Sequence, residues 1–250
     1  MLKKAFILLA LIGCGSTTSE TKIINGKKTY KHFFAQMLDE RDGKNYRGIC
    51  GSTLIGKRWA VTAGHCVDTI IDKMRADALY IGAYTPWDNN NGGKPKDIVK
   101  IKRIISHPDY NPDKSRANDL ALLELERDSK LPPISVARYD LKDGDRVKVY
   151  GMGQTSYGGS KSKELLRVRV NIVESCRSLR GRVDNTMFCA GEGKGDSCGG
   201  DSGGPAVHKK SLVGLVSWGI RCNVREYPGV YAKLDIDWLE KYVPDLNVRN

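Results

Sequence analysis

From Ile23 onward the sequence is a succession of short apolar runs, each cut off by Gly, Pro, Asn or Asp: ICGSTLI, WAVTA, ALYIGAY, IVKIKRII, LALLELE, VKVYGMG, LLRVRVNIV, LVGLVSWG and GVYAKL. Several alternate apolar with polar residues or are rich in Val, Ile and Tyr, the pattern of strands that bury at least one face. Helical periodicity is scarce. Its clearest instance is the C-terminus, where Asp235 can cap a helix carrying Ile236, Leu239 and Val243 on one face. The expectation is an all-β chain ending in one helix. A length of 250 residues with 40% hydrophobic content is enough to bury a sizeable core in one large or two small units.

Between LALLELE and VKVYGMG lies RDSKLPPISVARYDLKDGD, in which Pro132 and Pro133 cannot occupy a central strand. A boundary between two β units is therefore expected near 130–138. No internal repeat or low-complexity tract is present, and the polar stretch PWDNNNGGKPKD, Pro86 to Asp97, reads as a surface excursion.

The first residues differ from the rest. Lys3 and Lys4 precede an unbroken apolar run, Ala5 to Ile12, which is too short for a membrane span and reads as the core of an export signal. Leu11, Ile12, Gly13 and Cys14 also resemble the lipobox of bacterial lipoproteins, in which the cysteine is acylated. Setting Cys14 aside leaves six cysteines, Cys50, Cys66, Cys176, Cys189, Cys198 and Cys222. With no CxxC pair and no His/Cys cluster at zinc spacing, three disulfides formed in an oxidising compartment are expected, and no metal. The formal charge is +12, or +10 for residues 23–250, which carry 38 Lys and Arg against 28 acids. Such a balance can attract polyanions, but the lysines are scattered and form no nucleic-acid motif, so nucleic acid is not expected as a partner.

The segment GDSCGGDSGGP, residues 195–205, holds Asp-Ser twice. Ser202 fits the GxSxG pattern of a nucleophile elbow. An esterase of α/β-hydrolase type would need an acid and then a histidine after that serine, and strands alternating with helices; only His208 follows, six residues on, in a chain that reads as β. Upstream, His65 stands in WAVTAGHC and Asp119 in NDLALLEL, at the mouth of an apolar strand where burial demands a hydrogen-bonding partner. A serine hydroxyl becomes a good nucleophile when an imidazole takes its proton, and a buried carboxylate fixes the imidazole's tautomer. His65, Asp119 and Ser202 supply these three groups in that chain order.

TAGHC, NDLAL and GDSGGP together resemble the signature segments of the trypsin-like (chymotrypsin-fold) serine proteases, and the likeness runs from Ile23 to the C-terminal helix. The resemblance implies two packed six-stranded antiparallel β-barrels with a C-terminal α-helix, and serine endopeptidase activity without a cofactor. It implies that His65 is the general base and then acid, that Asp119 orients it, and that Ser202 is the nucleophile, with the N–H groups of Gly200 and Ser202 as oxyanion hole. Asp196, with Ser197 beside it, matches the floor of the primary specificity pocket, and Ser217, Trp218, Gly219 and Gly229 match its walls, so cleavage after Arg or Lys is expected. The disulfides implied are Cys50–Cys66, Cys176–Cys189 and Cys198–Cys222. Ala83 follows Gly82 where vertebrate trypsins place the glutamate that begins a calcium loop, so no calcium site is expected there.

By the same likeness the chain is a zymogen cut between Lys22 and Ile23, and Asp201 receives the new ammonium of Ile23. With Cys14 lipidated, the eight residues Gly15 to Lys22 would reach at most about 28 Å, so one cut would both activate and release the enzyme. The expected location is the bacterial cell envelope, then periplasmic or secreted after activation, with membrane attachment only through Cys14. The expected partners are protein or peptide substrates with Arg or Lys at the cleaved position, and protein protease inhibitors; a monomer is expected. The rival reading is a catalytically inactive relative that binds polyanions through its basic surface.

Overall fold

The structure, a computed structural model, describes residues 26–40, 45–68, 75–87, 91–112, 116–173, 176, 179, 181–191, 193 and 195–249. Cys14, Lys22 and Ile23, and with them the expected export signal, lipid attachment and activating cut, lie outside the described residues. Among the described residues no helix is long and apolar enough to cross a membrane.

The chain runs through β1 (Lys27–Lys28), β2 (Phe34–Glu40), β3 (Tyr46–Gly56), β4 (Trp59–Thr62), β5 (Ala78–Ile81), β6 (Asp97–Ser106) and β7 (Ala121–Leu125). It continues through β8 (Val136–Ala137), β9 (Arg146–Gly151), β10 (Leu166–Val173), β11 (Met187–Ala190), β12 (Pro205–His208), β13 (Ser211–Trp218), β14 (Gly229–Lys233), helix α1 (Ile236–Tyr242) and β15 (Val248–Arg249). The first half closes as an antiparallel barrel in the order β2-β3-β4-β7-β6-β5. The second follows β12-β9-β10-β11-β14-β13, and pairing of β12 with β13 closes it too. β8 and β15 lie outside this ring, parallel to it and to each other, and β1 pairs with β10.

Alternation along each strand explains why both faces are apolar. Along β7 and the residue before it, Leu123 and Leu125 join a cluster with Met37, Leu54, Leu79 and Ile81, all from the first half. Leu120 and Leu122 point the other way, into a layer shared with Tyr150, Leu215 and Trp238 of the second half. Successive side chains on a strand alternate faces, so a run such as LALLELE feeds both layers at once. Glu124 breaks that run and leaves the apolar layer by pairing with Lys102 and Arg103, each at 2.8 Å.

Helix α1 begins as its sequence suggests: Asp235 accepts the N–H of Trp238 at 3.0 Å. Ile236, Leu239 and the C-cap Val243 are buried in the shared layer. The same Asp235 meets His107 Nε2 at 3.1 Å, tying the helix start to the end of β6. Beyond the two-residue β1, β8 and β15, three strands lack a legible pattern. β2 is FAQMLDE, buried on both faces although Gln36 and Asp39 interrupt its apolar run, while β11 and β12 are only four residues each. The stretch Pro86 to Asp97 is less of an excursion than expected. Asn91 within it is fully buried, accepting the N–H of Tyr84 at 2.7 Å and donating to the carbonyl of Gly82 at 3.0 Å.

Candidate active site

Strand register brings the first two candidate residues together. β4 and β7 are antiparallel with Thr62 opposite Ala121, so the residue three beyond Thr62 and the residue two before Ala121 emerge at one corner. Those residues are His65, in a short 3-10 turn Gly64–Cys66, and Asp119. Asp119 Oδ1 accepts the backbone N–H of His65 at 2.8 Å, and Oδ2 meets His65 Nδ1 at 2.8 Å. The hydroxyl of Ser217, on β13 of the other barrel, donates to the same Oδ2. Burial pushes the Asp119 carboxyl up, but the hydrogen bonds from His65 and Ser217, with the imidazole's charge whenever that ring is protonated, outweigh it and hold the group below its ordinary value. An ionised acceptor at Nδ1 favours the tautomer with hydrogen on that nitrogen, which leaves Nε2 free to take a proton. The Cys50–Cys66 disulfide pins this turn to β3. Its sulfurs lie beside the imidazole, but they are bonded to each other and so offer no thiolate to a metal.

Ser202 arrives from the second barrel on the loop between β11 and β12. Its carbonyl accepts the N–H of Gly51 on β3 at 2.8 Å, and the next N–H, of Gly203, donates to Val216 at 2.8 Å. Gly203 has φ +74, and a Cβ there would sit 2.3 Å from both the Gly51 carbonyl and Thr62 Oγ1. Only glycine fits a left-handed position pressed this closely on a neighbouring barrel. Ser202 and His65 thereby line one cavity of about 340 Å³, together with Cys50, Gly200 and Lys161. No hydrogen bond joins Ser202 Oγ to His65 Nε2 among the described residues. Gly200 has φ +94. The N–H groups of Asp201, Gly203 and Gly204 are taken up within the chain, whereas those of Gly200 and Ser202 have no partner among the described residues.

Ser202 also lines a second cavity, of about 290 Å³, with Asp196, Ser197, Ser217, Trp218, Gly219 and Gly229. Asp196 is 2% exposed. Its Oδ2 accepts the N–H of Asn223 at 2.9 Å, while Oδ1 is buried without a hydrogen-bond partner. Burial drives this carboxyl up to about 7, against the N–H groups of Asn223 and Ser197 and with help from the charge of Asp201. A Cβ at Gly229 would stand 3.0 Å from Asp196 Oδ1, whereas one at Gly219 would meet nothing within 4 Å. Glycine therefore gives access to the carboxylate at 229, and at 219 it keeps the wall low. Ser197 is turned to Tyr231, with hydroxyls 3.1 Å apart. The Cys198–Cys222 disulfide ties the Asp196 segment to the opposite wall, and Cys176 pairs with Cys189.

Asp201 points away from both cavities. It is fully buried, accepting the N–H of Gly153 at 2.7 Å and of Cys198 at 2.9 Å. Burial raises its carboxyl to about 6, the two N–H bonds and the charge of Lys161 opposing. His208 is buried against the carbonyl of Arg146, 2.9 Å from Nδ1, and takes no part in either cavity.

The Trypsin family model matches residues 23–239. The chain belongs to the trypsin family. It is a trypsin-like serine endopeptidase with that family's two closed barrels. A trypsin of Phaedon cochleariae is 36% identical over 212 residues, covering 77% of this chain and 78% of that protein. Trypsin-4 of Rattus norvegicus is 31% identical over 253 residues, covering 95% and 98%. The solved structure of neuropsin, a serine protease expressed in the limbic system of mouse brain, superposes with a TM-score of 0.73 at 28% identity, covering 86% of this chain and 97% of that one.

Several contacts of this trypsin-family site carry no signal in the sequence. Asn223 and Tyr231 enter through loop paths and β14 rather than through any motif. Ser217, expected only as a pocket wall, also completes the hydrogen bonding of Asp119. Lys161, in an isolated bridge opposite Gln154, reaches the edge of Gly200, where a Cβ would meet its Cε at 3.1 Å.

Proposed function

We propose that the chain hydrolyses peptide bonds after Arg or Lys through an acyl-enzyme on Ser202. In this reading His65 Nε2 takes the Ser202 proton as Oγ attacks the carbonyl carbon. The developing oxyanion accepts from the N–H groups of Gly200 and Ser202, and His65 then hands the proton to the leaving amine. Water repeats the sequence on the ester and restores Ser202. Asp119 holds the imidazole in the required tautomer and stabilises the imidazolium.

The observation that carries the Arg/Lys assignment is Asp196 Oδ1, buried and without a partner in the wall of the cavity that Ser202 lines. A guanidinium on a three-carbon stem or an ammonium on a four-carbon stem would supply the missing hydrogen bond and opposing charge. The test is cleavage of matched Arg, Lys, Phe and Ala peptides by the chain and by Ser202→Ala. Arg and Lys are expected to lead, and the variant to lose roughly a millionfold in kcat. Equal rates for the two proteins, or a preference for Phe, would overturn the reading.

The same proposal includes activation by cleavage between Lys22 and Ile23. It is supported by Asp201, a fully buried carboxyl raised to about 6 and served only by N–H groups among the described residues. An ammonium delivered there would hold it ionised and order the loop that carries Gly200 and Ser202. Attachment through Cys14 before the cut, and release by it, is tested by membrane fractionation with N-terminal sequencing: active enzyme that begins at Ile23 yet carries lipid would refute it. A purely polyanion-binding role is not favoured, since a paired Asp119–His65 and a partnerless Asp196 have no use in it.

A further inference from the structure

The two cavities that meet at Ser202 differ in volume and lining but share one property, the sign of the charged residues at their rims. The Asp196 cavity is lined by Arg116 and Arg221, and its only acid among the described residues is Asp196 itself. The His65 cavity is lined by Arg47 and Lys161 and, among the described residues, by no acid. Arg47 is engaged, 3.4 Å from Asp39. Arg116, Lys161 and Arg221 have no carboxylate within ion-pair distance among the described residues. Lys161 and Arg221 are exposed, and Arg116 is half-buried. Arg116 is also held in a left-handed conformation, φ +58, with its N–H on the carbonyl of Asn111 at 3.1 Å.

Resting on the Arg/Lys reading, the direction of a bound peptide follows. The side chain of the attacked residue fills the Asp196 cavity, so residues before the cut run along the rim bearing Arg116 and Arg221. Residues after the cut enter the cavity bearing Lys161. We propose that the cleft selects Arg or Lys residues flanked on both sides by acids, with Arg116 and Arg221 reading carboxylates before the cleaved bond and Lys161 reading one after it. Without such partners three cations crowd the cleft; with them each gains a charge-assisted hydrogen bond. The chain itself contains a half-match, Ser19-Glu20-Thr21-Lys22, with an acid two residues before the lysine.

The experiment uses the full chain after cleavage at Lys22 and peptides of the form Ala-X-Ala-Arg-Ala-Z-Ala, with X and Z each Asp, Ala or Lys, the initial rate being read at the Arg-Ala bond alone by mass spectrometry because Lys at X or Z is itself a site of cleavage. An exposed pair contributes roughly two- to fivefold, so Asp at both positions is expected to raise kcat/KM about tenfold over Ala and further over Lys. The preference should shrink in 0.5 M salt, where the screening length falls to about 4 Å. Each variant is read as its own ratio of Asp to Lys peptides, which does not depend on how much of it folds. Lys161→Glu should invert the Z ratio and leave the X ratio; Arg116→Glu with Arg221→Glu should do the reverse; Lys161→Arg and Arg221→Lys should keep both. Unchanged ratios in the charge reversals overturn the proposal, as does inhibition by a sulfated polysaccharide with no flank preference, which would assign the cations to a polyanion. Efficient cleavage of every Arg peptide whatever its flanks defeats this proposal alone; failure on all Arg and Lys peptides defeats the Arg/Lys reading with it.

Discussion

Asp119 and Asp196 are both buried carboxylates, the first bonded to His65 and the second lining a cavity with Ser202, one delivered by each barrel, and they are treated oppositely. Asp119 has hydrogen-bonding partners on both oxygens and is held below its ordinary value. Asp196 has one oxygen without a partner and rises to about 7. The first barrel presents a finished pair, satisfied by the chain's own groups. The second presents an unfinished one, whose missing partner must come from outside. The Asp119–His65 pair is held by the chain whatever is bound, whereas the free oxygen of Asp196 favours a ligand that carries positive charge.

The contrast is broken most directly at its finished end. Asp119→Asn keeps the shape but donates where a carboxylate accepts, so the imidazole takes the wrong tautomer; kcat should fall roughly ten-thousandfold while KM for an Arg peptide stays within about threefold. A drop below tenfold in single-turnover measurements would show that Asp119 does not orient His65. At the unfinished end, Asp196→Asn should cost Arg and Lys peptides roughly a thousandfold in kcat/KM while sparing Ala peptides. Equal losses across peptides would mean that Asp196 supports the fold rather than the choice of substrate.

The wall opposite Asp196 is held by a disulfide that closes a 24-residue separation. Replacing Cys198 and Cys222 together by Ala should cost about 3 kcal/mol of stability in denaturant unfolding, and should raise KM for Arg peptides more than it lowers kcat. The two carboxylates also part company in pH, with the smallest expected effect. Binding of a guanidinium ligand needs Asp196 ionised, so affinity measured by calorimetry should weaken about tenfold from pH 8 to pH 6 as the carboxyl protonates through about 7. The sign for stability is the reverse. A carboxyl raised from 3.8 to about 7 by folding costs the empty fold nothing below about pH 4, progressively more between 4 and 7, and the full amount above. Asp119, held low, contributes the opposite slope, stability lost as pH falls through its folded value.

Much of this was legible in the chain, and the pattern of what was not is physical. TAGHC, NDLAL and GDSGGP marked His65, Asp119 and Ser202 as candidates by their immediate neighbours, a disulfide, a strand mouth and a run of glycines, and the structure brings His65 onto Asp119 and puts His65 and Ser202 on one cavity. Alternating runs such as VKVYGMG and LLRVRVNIV marked strands whose faces differ. β2, whose faces are both buried, and the four-residue β11 and β12 gave no such contrast. The contacts of Asn223, Tyr231 and Lys161 were illegible for a different reason. Each depends on where a distant loop or strand passes, and no local preference encodes that. Ser217 shows the limit well: its place in SWGIRC suggested a wall, and only the docking of β13 against the first barrel gives it Asp119.

Gly203 packs so tightly on Gly51 and Thr62 that its missing side chain acts as a spacer of fixed thickness between the two halves. Catalytic alignment is then a property of the seam, not of either half, and a shear of about an ångström there would silence the enzyme while both barrels stayed intact. Heat or mild denaturant should accordingly abolish turnover before the β-structure melts.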